Sequence, residues 1–483
     1  MGLLGLTATG VCSMVGAGIN VIPFMIQRNV PGIADNVLPA YAFAALPAVL
    51  AGLAYAILAS AMPRAGGSYV YASRALDPYL GFVASFSQWF SLCVATGVVA
   101  YVLVPFLRDI AVAVQWSAGA AALESGPVRL SISLAVLWAA AAVNLRGVAL
   151  YERLIVPLMF LTFILGGVVI AAGFAFDHED FARAVLARDG ASVALTAAPA
   201  FSTATFLSAA ALLFASFIGF DSIAQAGGEA KNPGRNLPLA IAIAVVSVGL
   251  FYMLFTAALY HTVPWQYIAE QAQHRDLTAP GLLGYVLPPF WTVVIVSAAA
   301  VALVKDLPAM LLAVSRLMFA WAEDGIFPKA VAAVHPVFRT PHVAILASGG
   351  MATLGILGSH LAGDFFLGVD ILVTSMLVNF LLMAASVLAL PRRNPRIAKD
   401  VTVVRSRRAQ VPLAALGVVV IAGFLVVHTV KDLTTPAAAW YFRSTPVWFV
   451  VMAIGSLIYW REARALRRRG IDLHARVAVL PPD

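Results

Sequence analysis

The sequence predicts an all-α polytopic membrane protein. Of its 483 residues, 61% are hydrophobic and only 11% are charged, whereas a soluble globular domain carries about 25% charged residues. The apolar residues also gather into runs of roughly 20, separated by short polar loops, and a helix of that length crosses the hydrocarbon core of a bilayer. A soluble enzyme or binding module is therefore not expected.

Twelve apolar runs are long enough to be membrane spans. Numbered 1 to 12 in chain order, they are 3–26, 40–62, 80–106, 129–145, 153–175, 203–226, 238–261, 289–320, 342–360, 366–390, 411–429 and 445–461. If the N-terminus is cytoplasmic, 22 of the 31 lysines and arginines fall in cytoplasmic segments, as the positive-inside rule requires. We therefore predict an integral protein of the plasma (inner) membrane with both termini in the cytoplasm. This orientation explains the net charge of +8 without nucleic acid as a partner.

The charge pattern also divides the chain. We predict a core of spans 1 to 10, a basic cytoplasmic linker, two further helices and a basic cytoplasmic tail, at 1–391, 392–410, 411–461 and 462–483. Residues 63–76 are expected to form a short amphipathic helix on the cytoplasmic side. Residues 176–202 are expected to be a solvated outer loop.

Two Gly-rich segments interrupt spans 1 and 6, namely Val15-Gly16-Ala17-Gly18-Ile19 and Phe217-Ile218-Gly219-Phe220-Asp221. Glycine destabilises a helix interior by about 1 kcal/mol relative to alanine, and in lipid every backbone group freed by a break needs another partner. Spans 1 and 6 run in opposite directions, so the breaks occupy matching places in an inverted repeat. We predict a 5+5 repeat, residues about 1–175 and 203–391, with spans 11 and 12 outside it.

Four segments in order resemble those of the amino acid–polyamine–organocation (APC) transporters. They are Val15-Gly-Ala-Gly-Ile19 with Pro23, Pro63-Arg-Ala-Gly-Gly-Ser-Tyr-Val-Tyr71, Phe217-Ile-Gly-Phe-Asp221 leading to Gly228-Glu-Ala-Lys-Asn-Pro-Gly-Arg-Asn-Leu-Pro238, and Ser315-Arg-Leu-Met-Phe-Ala-Trp-Ala-Glu-Asp-Gly-Ile-Phe-Pro328. The resemblance implies a LeuT-like fold and amino acids or related amines as substrates. It does not name one substrate.

The two breaks themselves suggest a binding site for a zwitterion. The outer half of span 1 begins with free amides at Gly16, Ala17, Gly18 and Ile19, next to Val15, and a helix N-terminus suits a carboxylate. The outer half of span 6 ends with free carbonyls, which suit an ammonium group, at Ser216, Phe217 and Ile218. The alternative is that the glycines serve helix packing alone.

Three side chains beside the second break have more than one interpretation. Phe217 and Phe220 are either an aromatic gate or ordinary packing residues. Burial of the Asp221 carboxylate at membrane depth costs free energy unless the group has a partner. The side chain is expected to hold a cationic substrate, to take part in proton coupling, or to accept hydrogen bonds from amides freed by the break. The APC resemblance favours the last role.

Lys305-Asp306 in span 8 departs from the APC pattern, in which small hydroxyl or amide residues are usual at this place. Sodium-coupled members of this fold place sodium ligands here. We predict that the Lys305 ammonium occupies the sodium position and makes transport sodium-independent, with a proton as a possible coupling ion. The alternatives are a structural pair of Lys305 with Asp306, Asp221 or Asp370, and contact with an acidic substrate.

An inner gate is predicted from the charges that follow span 6. Glu229 and Lys231, together with Arg235, are expected to pair with Arg64 or Arg74. A solvated loop is the alternative.

The function predicted from these observations is secondary active transport of an amino acid, neutral or branched in the first instance. A cationic amino acid, a polyamine or another organic amine is the alternative substrate class, and a non-transporting sensor of the same fold is a further one. The sequence contains no His-Glu-x-x-His, Gly-x-Ser-x-Gly or phosphate-binding Gly-x-x-x-x-Gly-Lys motif, so no enzyme activity, metal or cofactor is predicted. Uniport, exchange and symport stay open.

Overall fold

The computed structural model describes residues 1–362, 366–436 and 439–480, except for the side chains of Ala17 and Ala362. The last three residues of the predicted tail lie outside this part. The described chain is made of helices and short loops, and its one β-bridge joins Ala65 to Ala226. The helices are α1 Leu3–Met14, α2 Ala17–Asn29, α3 Val37–Ala61, α4 Gly67–Ala75, α5 Pro78–Ala113, α6 Ser117–Glu124, α7 Gly126–Leu145, α8 Val148–Ala175, α9 His178–Asp189, α10 Thr203–Leu213, α11 Ser222–Gln225, α12 Pro233–Thr262, α13 Trp265–Ala272, α14 Ala279–Leu283, α15 Pro289–Asp324, α16 His342–Ala362, α17 Phe366–Arg393, α18 Pro395–Ala398, α19 Arg407–Thr434, α20 Ser444–Arg468 and α21 Leu473–Val477.

Within the described residues, eleven helical segments are long and apolar enough to cross a membrane. They coincide with predicted spans 1 to 11, and span 1 comprises α1 and α2 while span 6 comprises α10 and α11. Predicted span 12 lies in α20, which is apolar in its first half and carries Arg461, Glu462 and several arginines in its second half. The all-helical membrane class is therefore confirmed, while the total of twelve spans and the inverted repeat stay predictions.

The centre of the bundle is built on α5 and α15, two 36-residue helices that pack against each other. A hydrogen bond from Trp321 Nε1 to Ser85 Oγ (2.8 Å) joins them. The α1 helix packs against α8, α12 and α15, and every residue of α1 from Gly5 to Met14 is buried. Span 1 therefore lies inside the bundle, where lipid does not reach its backbone.

Small residues let several helices approach closely. A methyl group on Gly97 of α5 would lie 2.2 Å from the carbonyl oxygen of Ala352 in α16, and one on Gly355 would lie 2.6 Å from that of Val94. Close approach of this kind is the usual means of helix association in membranes, because lipid tails give no hydrophobic drive between helices.

Two local predictions need correction. The segment expected to form a short amphipathic cytoplasmic helix is helical, as α4, but it has no solvent-exposed face, because all nine of its residues are buried against α5 and α17. In the loop expected at 176–202, the α9 helix forms because Asp177 accepts the amides of Glu179 and Asp180 at 2.9 Å each. The hydrogen bonds from these amides lower the pKa of Asp177.

Candidate functional site

Both predicted breaks are present. The α1 helix ends at Met14, Val15 is extended, and α2 begins after Gly16. In span 6, α10 passes into a 3₁₀ turn at Phe214–Phe217, Ile218 is extended, and the chain becomes helical again at Ser222. Gly219 has φ +135°, a conformation that residues with a side chain rarely adopt. The sequence therefore predicted the position of both breaks correctly.

The two breaks lie against each other. A methyl group on Gly219 would lie 2.4 Å from the carbonyl oxygen of Ser13, and one on Gly18 would lie 3.2 Å from the Cα atom of Ser216. Gly219 thus combines a positive φ with a contact that leaves no room for a Cβ atom. The packing role of these glycines and a binding role for the backbone beside them are compatible, because the same close approach brings both sets of helix ends together.

Side chains satisfy part of the interrupted backbone. Tyr252 donates its hydroxyl hydrogen to the carbonyl oxygen of Met14, and Asn20 donates from Nδ2 to that of Gly16 at 3.0 Å. The buried Asp221 accepts the Gly219 amide at 3.2 Å. This last bond is the role for Asp221 that the APC resemblance favours.

Asp221 also belongs to a network that the sequence did not reveal. Gln88 of α5 donates from Nε2 to Asp221 Oδ2. The Gln88 Oε1 atom accepts from Ser68 Oγ at 2.5 Å and from Gln225 Nε2 at 3.1 Å. The carboxylate is therefore held by α5 and the break, and no described residue of this network lines the cavity between the breaks. Gln88, an amide side chain within a long apolar span, is the signal in the sequence that could have indicated this network.

The breaks border a cavity of about 80 Å³ between α1, α2, α5, α15 and α17. Most of its walls are apolar, with Leu92, Val98 and Val369 among them. The polar residues that line it are Ser13, Ser216 and Asp306. A small, mostly apolar pocket with a few polar groups is the usual form of a site for a small molecule.

The predicted binding residues separate into groups. Gly18, Ser216 and Ile218 line the cavity. Val15 and Ile19 face a second, much smaller crevice with Asn20 and Phe251. Gly16 contacts Asp306, since a methyl group on it would lie 1.5 Å from Oδ2.

Phe217 and Phe220 pack into aromatic clusters and do not line the cavity in this conformation. The ring of Phe217 lies 5.3 Å from that of Tyr41 and 5.7 Å from that of Tyr252. The ring of Phe220 stacks on that of Phe380 at 5.1 Å. Packing between helices accounts for both positions, and a role as a gate stays a prediction.

Lys305 reaches the end of α1. Its Nζ atom donates to the carbonyl oxygen of Val15, lies 3.5 Å from that of Cys12 and 3.2 Å from Asp306 Oδ1. Lys305 is fully buried and Asp306 is 4% exposed. Of the predicted acidic partners, Asp306 is thus the one that pairs with Lys305. The Asp370 carboxylate lies near Lys431 instead, at 3.9 Å.

The charged residues of the predicted inner gate form ion pairs, but with other partners than predicted. Glu229 pairs with Arg316 of α15, whose Nε atom donates to Oε1 at 2.8 Å. Arg74 binds Asp324 through two hydrogen bonds, at 2.7 and 3.3 Å. The reason is that α4 is buried against α5 and α17, which brings Arg74 to the end of α15 rather than to the loop after span 6.

The other residues of the predicted inner gate lie nearby. Arg64 donates to its neighbour Pro63 at 3.5 Å, among other contacts. Lys231 is exposed, and its amide donates to the carbonyl oxygen of Met1 at 2.8 Å. Arg235 is exposed at the membrane-facing groove between α3 and α12.

The segment around Gly67 packs against the chain that follows the second break. A methyl group on Gly67 would lie 2.8 Å from Gln225 Oε1, and the Gly66 amide donates to the carbonyl oxygen of Gln225 at 3.3 Å. Together with the two ion pairs, these contacts join α4, α15 and the chain after span 6 on the side of the bundle that the charge pattern predicts to be cytoplasmic.

With the site described, comparison with known proteins decides the family. The sequence model of the family described as "Amino acid permease" matches residues 1–454. The chain belongs to this family. It is an integral membrane transporter by family, not an enzyme.

Amino acid permeases of several specificities are similar to this chain. The low-affinity putrescine importer PlaP of Escherichia coli (strain K12) is 26% identical over 73% of this chain and 71% of its own length. The branched-chain amino acid permease BcaP of Bacillus subtilis (strain 168) is 26% identical over 83% and 82%. The methylthioribose transporter of the same organism is 25% identical over 95% and 92%. The substrates in the names of these relatives differ in charge, so relatedness alone does not select one.

Proposed function

We propose that this permease is a secondary active transporter of the plasma membrane that carries amino acids or related organic amines by alternating access. The observation that supports the proposal is the pair of facing helix breaks around a small cavity, together with ion pairs that join α15 to α4 and to the chain after span 6. A carrier must open those pairs to release its substrate, and an interrupted helix can bend where a continuous one cannot. Both termini are proposed to lie in the cytoplasm.

For an amino acid, the two breaks offer complementary ends. The carboxylate would lie at the amino end of α2, near the Gly18 amide, and the ammonium group at the carbonyls of Ser216 and Ile218. Neutral or branched side chains suit the apolar walls. An organic amine is the second candidate, and it is favoured by the Asp306 carboxylate, which lines the cavity.

We further propose that Lys305 makes transport independent of sodium. Its ammonium group is surrounded by oxygen atoms of Val15, Cys12 and Asp306 at the break. Oxygen atoms from carbonyls and a carboxylate are also the ligands that a hard cation takes. A fixed ammonium group therefore fills the space that a coupling ion needs. A proton remains the proposed coupling ion.

The test is uptake by proteoliposomes that contain the purified chain. A panel of labelled amino acids and amines is offered with sodium or with choline, and with or without a pH gradient. We expect uptake of at least one compound at equal rates in sodium and choline, and faster uptake when the outside is acidic. Uptake that requires sodium would contradict the role of Lys305. No uptake of any compound would favour a non-transporting sensor and overturn the proposed function.

A further inference from the structure

The carboxylate of Asp306 occupies the place where an amino acid would bring its own. It contacts Gly16, the residue that precedes α2, because a methyl group there would lie 1.5 Å from Oδ2. The α2 helix has 13 residues and no side-chain cap at its first turn, so its amino end attracts a negative charge. In this chain, a side chain of α15 brings that charge.

The same carboxylate faces the cavity. Asp306 is the one ionisable side chain among the described residues that line it. Lys305, although adjacent in sequence, is fully buried against the backbone of α1 and does not line the cavity. A substrate in the cavity therefore contacts the Asp306 carboxylate directly, while the Lys305 ammonium group that pairs with Oδ1 at 3.2 Å lies outside the lining of the cavity.

The position of Asp306 disfavours the binding of a substrate that carries a carboxylate of its own. Lys305 compensates part of the Asp306 charge through Oδ1. A substrate carboxylate at the end of α2 would still face a carboxylate oxygen, which accepts hydrogen bonds and donates none, and like charges repel more in a pocket of low dielectric than in water. An ammonium group would be attracted instead. Ser216 lines the same cavity, and its buried hydroxyl group makes no hydrogen bond of normal geometry within the described structure, so it is available as a second acceptor.

We infer that the substrate of this cavity is a monoamine with a short apolar tail and no carboxylate, and that Asp306 is its counter-ion. The inference rests on the proposed transport function and narrows it. The apolar walls at Leu92, Val98 and Val369 accept the tail. A diamine fits less well, because no described residue that lines the cavity offers a second carboxylate. The volume of about 80 Å³ favours a tail of a few carbon atoms.

The test compares amino acids with the amines that differ from them by one carboxyl group. Binding of valine and isobutylamine, and of leucine and isopentylamine, is measured on the purified wild-type chain by competition, with putrescine as the diamine. We expect each monoamine to bind at least tenfold more tightly than its amino acid and than putrescine. Equal or tighter binding of the amino acids would overturn the inference while leaving the proposed function intact. If neither class binds, both fail.

A variant assigns the preference to Asp306. Asp306→Asn is expected to weaken the binding of isobutylamine at least tenfold and to leave the binding of valine unchanged or tighter. The variant should therefore bind valine more tightly than isobutylamine, the reverse of the wild type. Glu152→Gln is the control, since it removes a part-buried carboxylate of α8 that does not line the cavity, and it should keep the wild-type order. An unchanged order in Asp306→Asn would contradict the assignment. If that variant does not fold, the wild-type competition alone decides the substrate class.

Discussion

Replacing Gly219 with alanine is expected to abolish uptake and to lower the stability of the folded chain. The added Cβ atom would meet the carbonyl oxygen of Ser13 at 2.4 Å, which is backbone and cannot swing away, and the native φ of +135° is strained for any residue with a side chain. Strain of this kind costs about 1–3 kcal/mol, and overpacking in a tight interior adds about 1–3 kcal/mol. Thermal unfolding of the detergent-purified variant and its uptake in proteoliposomes measure both effects.

Gly167→Ala is the matched control for this experiment. Gly167 lies within α8, and a methyl group on it has no atom within 4 Å. Because alanine favours a helix over glycine by about 1 kcal/mol, this variant should unfold at the same temperature as the wild type or slightly higher. Normal uptake by Gly219→Ala would contradict the tight crossing of the two breaks.

Lys305→Ser is expected to convert a sodium-independent carrier into a sodium-dependent one. Removal of the ammonium group leaves Asp306 buried without its cation, which costs about 3–5 kcal/mol when one partner of a buried pair is lost. The carbonyl oxygens of Val15 and Cys12 and the Asp306 carboxylate would remain around the space that the ammonium group left. Sodium that binds there would restore part of the stability, since a ligand that binds only the folded state stabilises it.

The measurement is the unfolding temperature of each protein in sodium chloride and in choline chloride at equal ionic strength, together with uptake in both salts. The wild type should have the same unfolding temperature and the same uptake in both salts. Lys305→Ser should unfold at a higher temperature and take up more substrate in sodium chloride than in choline chloride. Lys431→Ser is the control, because Lys431 lies at the far end of α19 and its Nζ atom is 3.9 Å from Asp370. A response to sodium in the wild type, or none in Lys305→Ser, would contradict the assigned role of Lys305.

The elements that depend on local sequence were predictable. Long apolar runs gave the spans, and Gly16, Gly18 and Gly219 marked the two breaks, because a glycine in an apolar helix is a backbone signal that needs no tertiary information. The membrane class and the family follow from these signals.

The partners of the charged side chains were not predictable in the same way. Arg74 meets Asp324 because α4 packs into the bundle and buries all of its residues. Glu229 meets Arg316, a residue of α15 that is distant in sequence. A short segment with small, aromatic and basic residues reads equally well as a surface helix, so its burial depends on tertiary packing alone.

The apolar residues that line the cavity could not be predicted from the sequence either. Leu92 and Val98 of α5 and Val369 of α17 face the cavity, yet apolar residues that face lipid look the same in sequence. The sequence did single out Lys305 and Asp306 as charges at membrane depth. It did not show that Asp306 turns to the break and the cavity while Lys305 turns to the backbone of α1.

The central claim is that the cavity between the two breaks holds the transported molecule, and protection of a cysteine there tests it most directly. Ala215 lines the cavity and is 7% exposed, whereas Ala211 in the same span is fully buried outside it. Each is replaced with cysteine in a chain that lacks Cys12 and Cys93, and is treated with 2-aminoethyl methanethiosulfonate with and without isobutylamine. We predict that Ala215→Cys is modified, that isobutylamine slows the modification, and that Ala211→Cys does not react. Modification of Ala215→Cys at the same rate with and without a transported amine would contradict the account.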